Sequence, residues 1–366
     1  MIYKNNLLSK TESNWQMATT RMLRTQNLLC LIAILLQFVY GLEAQQHSRR
    51  YRENEVDDYG KEYYDMIIPD LEEALMKMEE LLIKAESDND DEAFENLLEM
   101  LHNLVEYTRN SNNAYKFVKA KGIDRIIPQH LKSSNNDVKT RTLIFLKSLF
   151  DIAPTTMSAS MPIVIVDRIL DIFEKGNLAL KAHALDVLEY WLPENPRVQA
   201  RVMKIKGLVP FYDQVDKLDM RVIATLLNLF NIILKEHITV RSESQKHLVD
   251  NDKMKFYLRI GLLEHMSSDT ICGGLMNIFT KLWSYSTNEH GVMVVVFDLM
   301  KNIKPYCLKS YQSDEKAQKL FSALSEFVND QGNKEFFDMY EQNMTDVALV
   351  IGEYVEKLKY NVKDEM

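Results

Sequence analysis

The sequence predicts an all-α fold of stacked helical repeats, on three observations. Only 11 glycines and 8 prolines are spread over 366 residues, while Leu, Lys, Glu, Asn, Asp and Met are abundant. That composition favours long helices with few tight turns. Apolar residues recur at spacings of three and four, the signature of one buried helix face. Finally, a block of sequence returns at a constant offset of 42 residues, and a fixed period of this size marks stacked repeats.

Four segments follow in order along the chain. Leu28 to Tyr40 is an apolar run of 13 residues broken only by Gln37, preceded by Arg21 and Arg24 and followed by Gly41 and Ala44. A bilayer-spanning helix needs roughly 20 such residues and a signal-peptide core about 7 to 15, so residues 1–41 read as a removable signal segment. Translation from Met22 would give it a more conventional length. Residues 42–59, with Gln45-Gln46 and mixed charges, lack a periodic apolar face and read as a flexible arm. A helical domain spans 60–360, and a short polar tail occupies 361–366.

Within the helical domain, Leu71, Leu75, Met78 and Leu82 form the stripe of a leading amphipathic helix, expected to end in the polar break Glu86 to Asp90. The repeat starts beyond it. Leu101, Leu143, Leu185 and Leu227 fall in register at the 42-residue period. So do Leu104, Leu146, Leu188 and Phe230, and then Tyr107, Leu149, Trp191 and Ile233. A period near 42 fits armadillo or HEAT repeats. Shorter helices between the long ones favour the three-helix armadillo form: Ser111 to Lys121, then Ile123 to Leu131, with the long helix resuming near Asn136. Pro196 to Lys206 and Leu208 to Val215 repeat that order. Gly122 and Gly207 are expected to supply the sharp bends, and Pro162 to start the second helix of the middle copy. After His237 the period loosens: Ser242 to Leu258 reads as an extended first helix. Further helices are predicted over Met276–Tyr285, Val292–Ile303, Ala317–Val328 and Val347–Tyr360. The expectation is an armadillo-like α-solenoid of about four three-helix repeats with irregular helical caps.

Charge and motifs narrow the function. A net charge of −9 leaves no broad basic field, which argues against nucleic acid as a partner. Phosphate-cradling loops, nucleophile elbows and the common zinc signatures do not occur in the sequence. His102 and His183 lie on the long helices with no second ligand at helical spacing, so no metal or cofactor is expected and no enzymatic activity is predicted. Once the signal segment is removed, Cys272 and Cys307 remain; they read as two small buried apolar side chains, while an oxidising compartment permits a bridge between them without requiring one. Asn343-Met344-Thr345 is an N-glycosylation sequon. Lys363, Asp364, Glu365 and Met366 end the chain one residue away from a Lys-Asp-Glu-Leu retention signal. With the signal segment, this tail points to the lumen of the endoplasmic reticulum and to a mature protein that does not span the membrane.

Leu104-Val105-Glu106-Tyr107, then Asn112-Asn113-Ala114-Tyr115-Lys116-Phe117, then Gly122-Ile123 resembles the first armadillo repeat of the lumenal SIL-family nucleotide exchange factors and their cytosolic relatives. Asn112 stands where the family carries an acid, and Lys121 where it carries the first of two glycines. The order of segments resembles the family along essentially the whole chain. The resemblance implies a nucleotide exchange factor that clasps the nucleotide-binding domain of the lumenal chaperone BiP and loosens ADP without covalent chemistry. A general lumenal armadillo adaptor for another protein is the alternative. Residues two positions before the core leucines rotate roughly 200° away from the core. Similarity to the armadillo pattern places that row, Glu99, Arg141, His183 and Thr225, on the concave groove together with Asn103, as candidate partner contacts.

Overall fold

The computed structural model describes residues 67–208, 214–245, 252–285 and 291–359. The chain divides into two units, Met1–Ile67 and Ile68–Met366, and the account below concerns the second. The expected signal segment, arm and terminal tail lie outside the described residues, as does most of the helix expected over Leu208 to Val215.

Helix boundaries follow local capping chemistry. Asp70 accepts from the backbone N–H groups of Glu72 and Glu73 at 2.9 and 3.1 Å and starts α1, Leu71–Asp88. Asn89 ends α1 in the left-handed conformation, and Asp90 caps α2, Asp91–Thr108, so the predicted polar break both stops one helix and starts the next. Asn110 caps α3, Ser111–Lys119, and Asn135 caps α5, Asn136–Ile152. Between them lies α4, Gly122–His130. The bend before α4 differs from expectation. Lys121 takes the positive φ of 58°, while Gly122 is required for space, because a Cβ there would lie 2.2 Å from the Phe117 ring. Gly207 does adopt the expected left-handed bend, with φ 64°.

The next triplet comprises α6, Pro154–Ser160, α7, Ile165–Lys175, and α8, Leu178–Trp191. In the third, α9, Pro196–Ile205, leads through a short 3-10 turn, Val215–Lys217, to α10, Met220–Gln245. The remaining helices are α11, Asp252–Ile260, α12, Leu262–Met266, α13, Asp269–Tyr285, α14, Gly291–Tyr311, α15, Glu315–Asn329, α16, Lys334–Met339, and α17, Met344–Lys359. Ser242 therefore belongs to the long α10, which corrects the extended first helix expected from Ser242 to Leu258.

These helices stack in rows. Third helices pack side by side as α2, α5, α8 and α10, and the row continues through α14 and α17. Second helices α1, α4 and α7 form a neighbouring row. Val215 extends it to α13, whose Lys281 Nζ donates to the Val215 carbonyl at 2.9 Å, and α13 packs on α15. The C-terminal helices expected as irregular caps thus continue both rows. Helix α10 is long and apolar enough to cross a membrane by length and composition. Its Asn231 and His237 are nevertheless buried against polar partners, as in a core helix of a soluble protein.

The predicted core register is observed. Leu101, Leu104, Tyr107, Leu143, Leu146, Leu149, Leu185, Leu188, Trp191 and Leu227 are all buried. Phe230 and Ile233 are only half-buried, because they line an apolar groove between α9, α10, α11 and α13 at the place of the third triplet's second helix.

Ion pairs and one cross-link tie neighbouring layers. Arg125 of α4 donates from Nε and Nη2 to the two carboxylate oxygens of Glu79 at 2.8 and 2.7 Å, and from Nη1 to Glu72 at 2.6 Å. Arg201 of α9 makes the same two-pronged contact with Asp167 of α7, at 3.0 and 2.5 Å. Lys181 is only 4% exposed, yet its ammonium donates to the Phe173 and Glu174 carbonyls and to Gln214 Oε1 at 2.7, 2.7 and 2.8 Å. All three ammonium protons are satisfied, which makes the buried charge tolerable. Cys272 and Cys307 are joined in a disulfide between α13 and α14. Both are small and buried, as read from the sequence, and of the two states the sequence leaves open the packing of α13 on α14 selects the bridge.

Two buried histidines are held neutral. His130, 1% exposed, donates from Nδ1 to the Ile126 carbonyl at 2.7 Å, and burial lowers its pKa to about 4. His237, 4% exposed, lies 3.0 Å from Gln199 Oε1, and burial again lowers its pKa to about 4. Gln199 Nε2 and the Tyr257 hydroxyl both donate to Glu236 Oε2 at 2.9 Å, joining α9, α10 and α11.

Two outcomes are expected. Truncating Leu143 or Leu185 to Ala should cost about 2–5 kcal/mol in urea unfolding; an unchanged melting temperature would show that the register is wrong. The unfolded chain takes up its histidine protons near pH 6.5, whereas His130 and His237 resist protonation until about pH 4. Their contribution is therefore complete above about pH 6.5 and is lost as pH falls toward about 4. Between about pH 7.5 and about pH 5, stability should drop by on the order of 2 kcal/mol per histidine. A flat profile over that window would mean that both rings are solvated.

Candidate functional site

The third-helix row carries the site. Each of these helices turns one side to the core through its leucines and presents the opposite side outward. Glu99 on α2 and Arg141 on α5 are exposed, while Asn103, His183 on α8 and Thr225 on α10 are half-buried. All five predicted contacts thus lie on the row, but only two share a depression. Glu99 and Arg141 line one groove of about 600 Å3 between α2 and α5, together with Leu98, His102, Asp137, Thr140 and Ile144. Glu99 and Arg141 form no ion pair with each other among the described residues. An acid on one wall and a base on the other remain open to an incoming chain.

His183 and Thr225 each have a partner within their own helix. His183 Nδ1 lies 3.6 Å from Asp186 Oδ2, one helical turn along α8. Thr225 Oγ1 donates to the Arg221 carbonyl at 3.2 Å, within its own helix. Farther along, polar side chains cross from helix to helix. Asn228 donates to Glu189 at 3.5 Å. Asn231 and Lys235 both donate to Asp298 of α14, at 3.3 and 2.6 Å, and Asn302 donates to Asn231 Oδ1 at 2.7 Å. Lys304 of α14 pairs with Glu353 of α17.

Sequence reasoning missed part of this face. His102, Ile144, Asp186 and Asn228 recur at the same period one residue after the core leucines and three after the predicted row. Residues three apart on a helix are neighbours, so reading a second row from the same leucines would have found them.

At the far end of the row, Asn343 is exposed and caps α17, its Oδ1 accepting from the backbone N–H groups of Thr345 and Asp346 at 3.0 and 3.3 Å. The cap uses the oxygen and leaves Nδ2, the atom a glycan would take, outside those two bonds. Among the described residues no group of three or more His, Cys, Asp or Glu side chains is placed to hold a metal ion.

A stack of three-helix repeats whose third helices leave one side clear of the core belongs to the class of α-solenoid scaffolds. Residues 113–357, two-thirds of the chain, match the family model described as the SIL1/FES1/HPBP1 C-terminal domain, and the chain belongs to that family. It is a family of nucleotide exchange factors for Hsp70-type chaperones, a group of chaperone cofactors and not a catalytic enzyme family. Among solved structures, the chain is similar to a designed armadillo repeat protein, at 11% identity over 79% of this chain and 100% of that one, with a TM-score of 0.44. A second likeness, to computationally designed armadillo repeat proteins for modular peptide recognition, has 11% identity, 79% and 99% coverage and a TM-score of 0.44. No curated protein matched the sequence.

Proposed function

We propose that the protein is the exchange factor of a lumenal Hsp70, the BiP-class chaperone of the endoplasmic reticulum. The outer face of its third-helix row binds the nucleotide-binding domain and favours the open-cleft conformer from which ADP leaves. The family match carries the exchange activity, and the open groove with Glu99 and Arg141 on its walls supports the placement of the partner. Binding of this kind accelerates release only through its preference for one conformer over the other, so no reacting side chain is required.

Three features support the lumenal compartment. The apolar run from Leu28 to Tyr40 has the length of a signal core, and Lys363 to Met366 resembles a retention tail. The Cys272–Cys307 disulfide is an independent third, because such bonds persist in oxidising compartments and are rare in the cytosol. The exposed sequon at Asn343 fits a chain that enters that compartment, and we propose that it is glycosylated there.

Stopped-flow release of labelled ADP from BiP should be accelerated by the full chain; an unchanged release rate would refute the exchange activity on this chaperone. Combined charge reversal, Glu99→Lys with Arg141→Glu, should weaken BiP binding more than about tenfold, equivalent to about 1.4 kcal/mol, with the melting temperature preserved because both side chains are exposed. Wild-type binding by this variant would move the contact surface elsewhere.

In secretory cells, Asn343→Gln should abolish an endoglycosidase-sensitive mobility shift, and deletion of Lys363 to Met366 should increase secretion. A chain that carries no glycan and stays in the cytosol would refute the lumenal assignment.

A further inference from the structure

The first-helix row, where α9 packs on α11, carries a concentration of positive charge that the exchange reading leaves unused. Arg197 and Arg259 both bring their guanidinium groups to the ring of Phe256, 5.8 and 5.9 Å from its centroid. The ring face attracts each cation, but the two cations repel each other. Neither forms an ion pair among the described residues.

The same helix shows how its other cations are treated. Arg201 is held by Asp167, and Lys206 by Asp171 and Glu174, all from α7. Arg197 and Arg259 have no carboxylate partner of this kind among the described residues, the nearby Glu236 being engaged with Gln199 and Tyr257. The position of Arg197 adds to the imbalance. It is the second residue of α9, whose first turn contains no acid, so it adds a full positive charge to the positive end of the helix dipole. Lys204 on α9 is exposed, and Leu258 stands 44% exposed beside Arg259 on α11, where Lys255 pairs with Asp252 at 3.6 Å.

We propose that this face of α9 and α11 docks an acidic polypeptide segment whose carboxylates meet Arg197 and Arg259 and whose apolar side chains cover Leu258 and the edge of Phe256. A guanidinium pair gathered on one ring suits carboxylates, which it binds in a two-pronged manner. An exposed leucine among the cations suits a peptide better than a purely polar polyanion. The chain's net charge of −9 opposes an extended anionic surface such as a membrane, whereas a short segment meets only the local field.

The test is fluorescence anisotropy with the full chain and a fluorescein-labelled peptide of repeated Glu-Glu-Leu units, with a Gln-Gln-Leu peptide as control. The acidic peptide should bind, the control should not, and affinity should fall as salt rises from about 50 to about 300 mM. Arg197→Gln with Arg259→Gln should weaken binding at least about tenfold while circular dichroism and melting temperature stay unchanged. Should the double variant unfold, Arg259→Gln alone provides the comparison. The proposal is overturned if the acidic peptide fails to bind, if variant and wild type bind it equally, or if the control binds as well. Binding to phosphatidylserine vesicles with no binding to the peptide would overturn it in favour of a membrane surface.

Discussion

Everything in this structure depends on the fact that no repeat can bury its own apolar face. Leu143 and Leu146 of α5 are fully buried because α2 lies on one side and α8 on the other. The same holds along the row to α17. Stability therefore resides in the contacts between layers, and each layer has to keep its register against the next. Three polar devices enforce that register without opening the core. Arg125 clamps α4 to α1, Arg201 clamps α9 to α7, and the buried ammonium of Lys181 ties the end of α7 to Gln214. Of the three, only the Lys181 ammonium is buried, with all three of its protons donated, and leaving that ion unpaired would strongly destabilise the fold.

Much of this was legible in the sequence, because a leucine that must face the same neighbour in every layer has to recur at the layer's period. The row of Leu101, Leu143, Leu185 and Leu227 revealed the first four layers and the outward direction of Glu99 and Arg141. The polar break at Glu86 to Asp90 was equally readable, since capping is local chemistry. What failed to show depends on contacts distant along the chain. The Cys272–Cys307 bond spans 35 residues and follows from α13 lying on α14. The continuation of both rows past α10 was hidden because the helices there lengthen and the period breaks, although the packing persists. Gly122 illustrates a subtler limit. The sequence marked a bend, but not that the glycine makes room for Phe117 while Lys121 takes the unusual dihedral.

The outer face is the counterpart of this inner regularity. Since one side of each third helix is committed to its neighbours, the other side can vary from layer to layer without cost to the stack. That freedom is visible in the change from an open groove between α2 and α5 to a self-satisfied polar ladder from Asn228 to Asn302. A partner meeting this face would find accessible charges at one end and side chains already engaged with one another at the other. The uneven chemistry marks which end of the face has most to offer an incoming surface.

The disulfide has a consequence for how the stack comes apart. A solenoid held only by neighbour contacts can fray from either end, one layer at a time, with each lost layer exposing the next. The bond between α13 and α14 fuses a second-row helix to a third-row helix. These two can separate from their neighbours but not from each other. Unravelling that begins at α17 therefore meets a covalent stop near the middle of the C-terminal half, and melting from the other end meets the same barrier. One crossbar converts a zipper that could open tooth by tooth into two shorter zippers sharing a riveted joint.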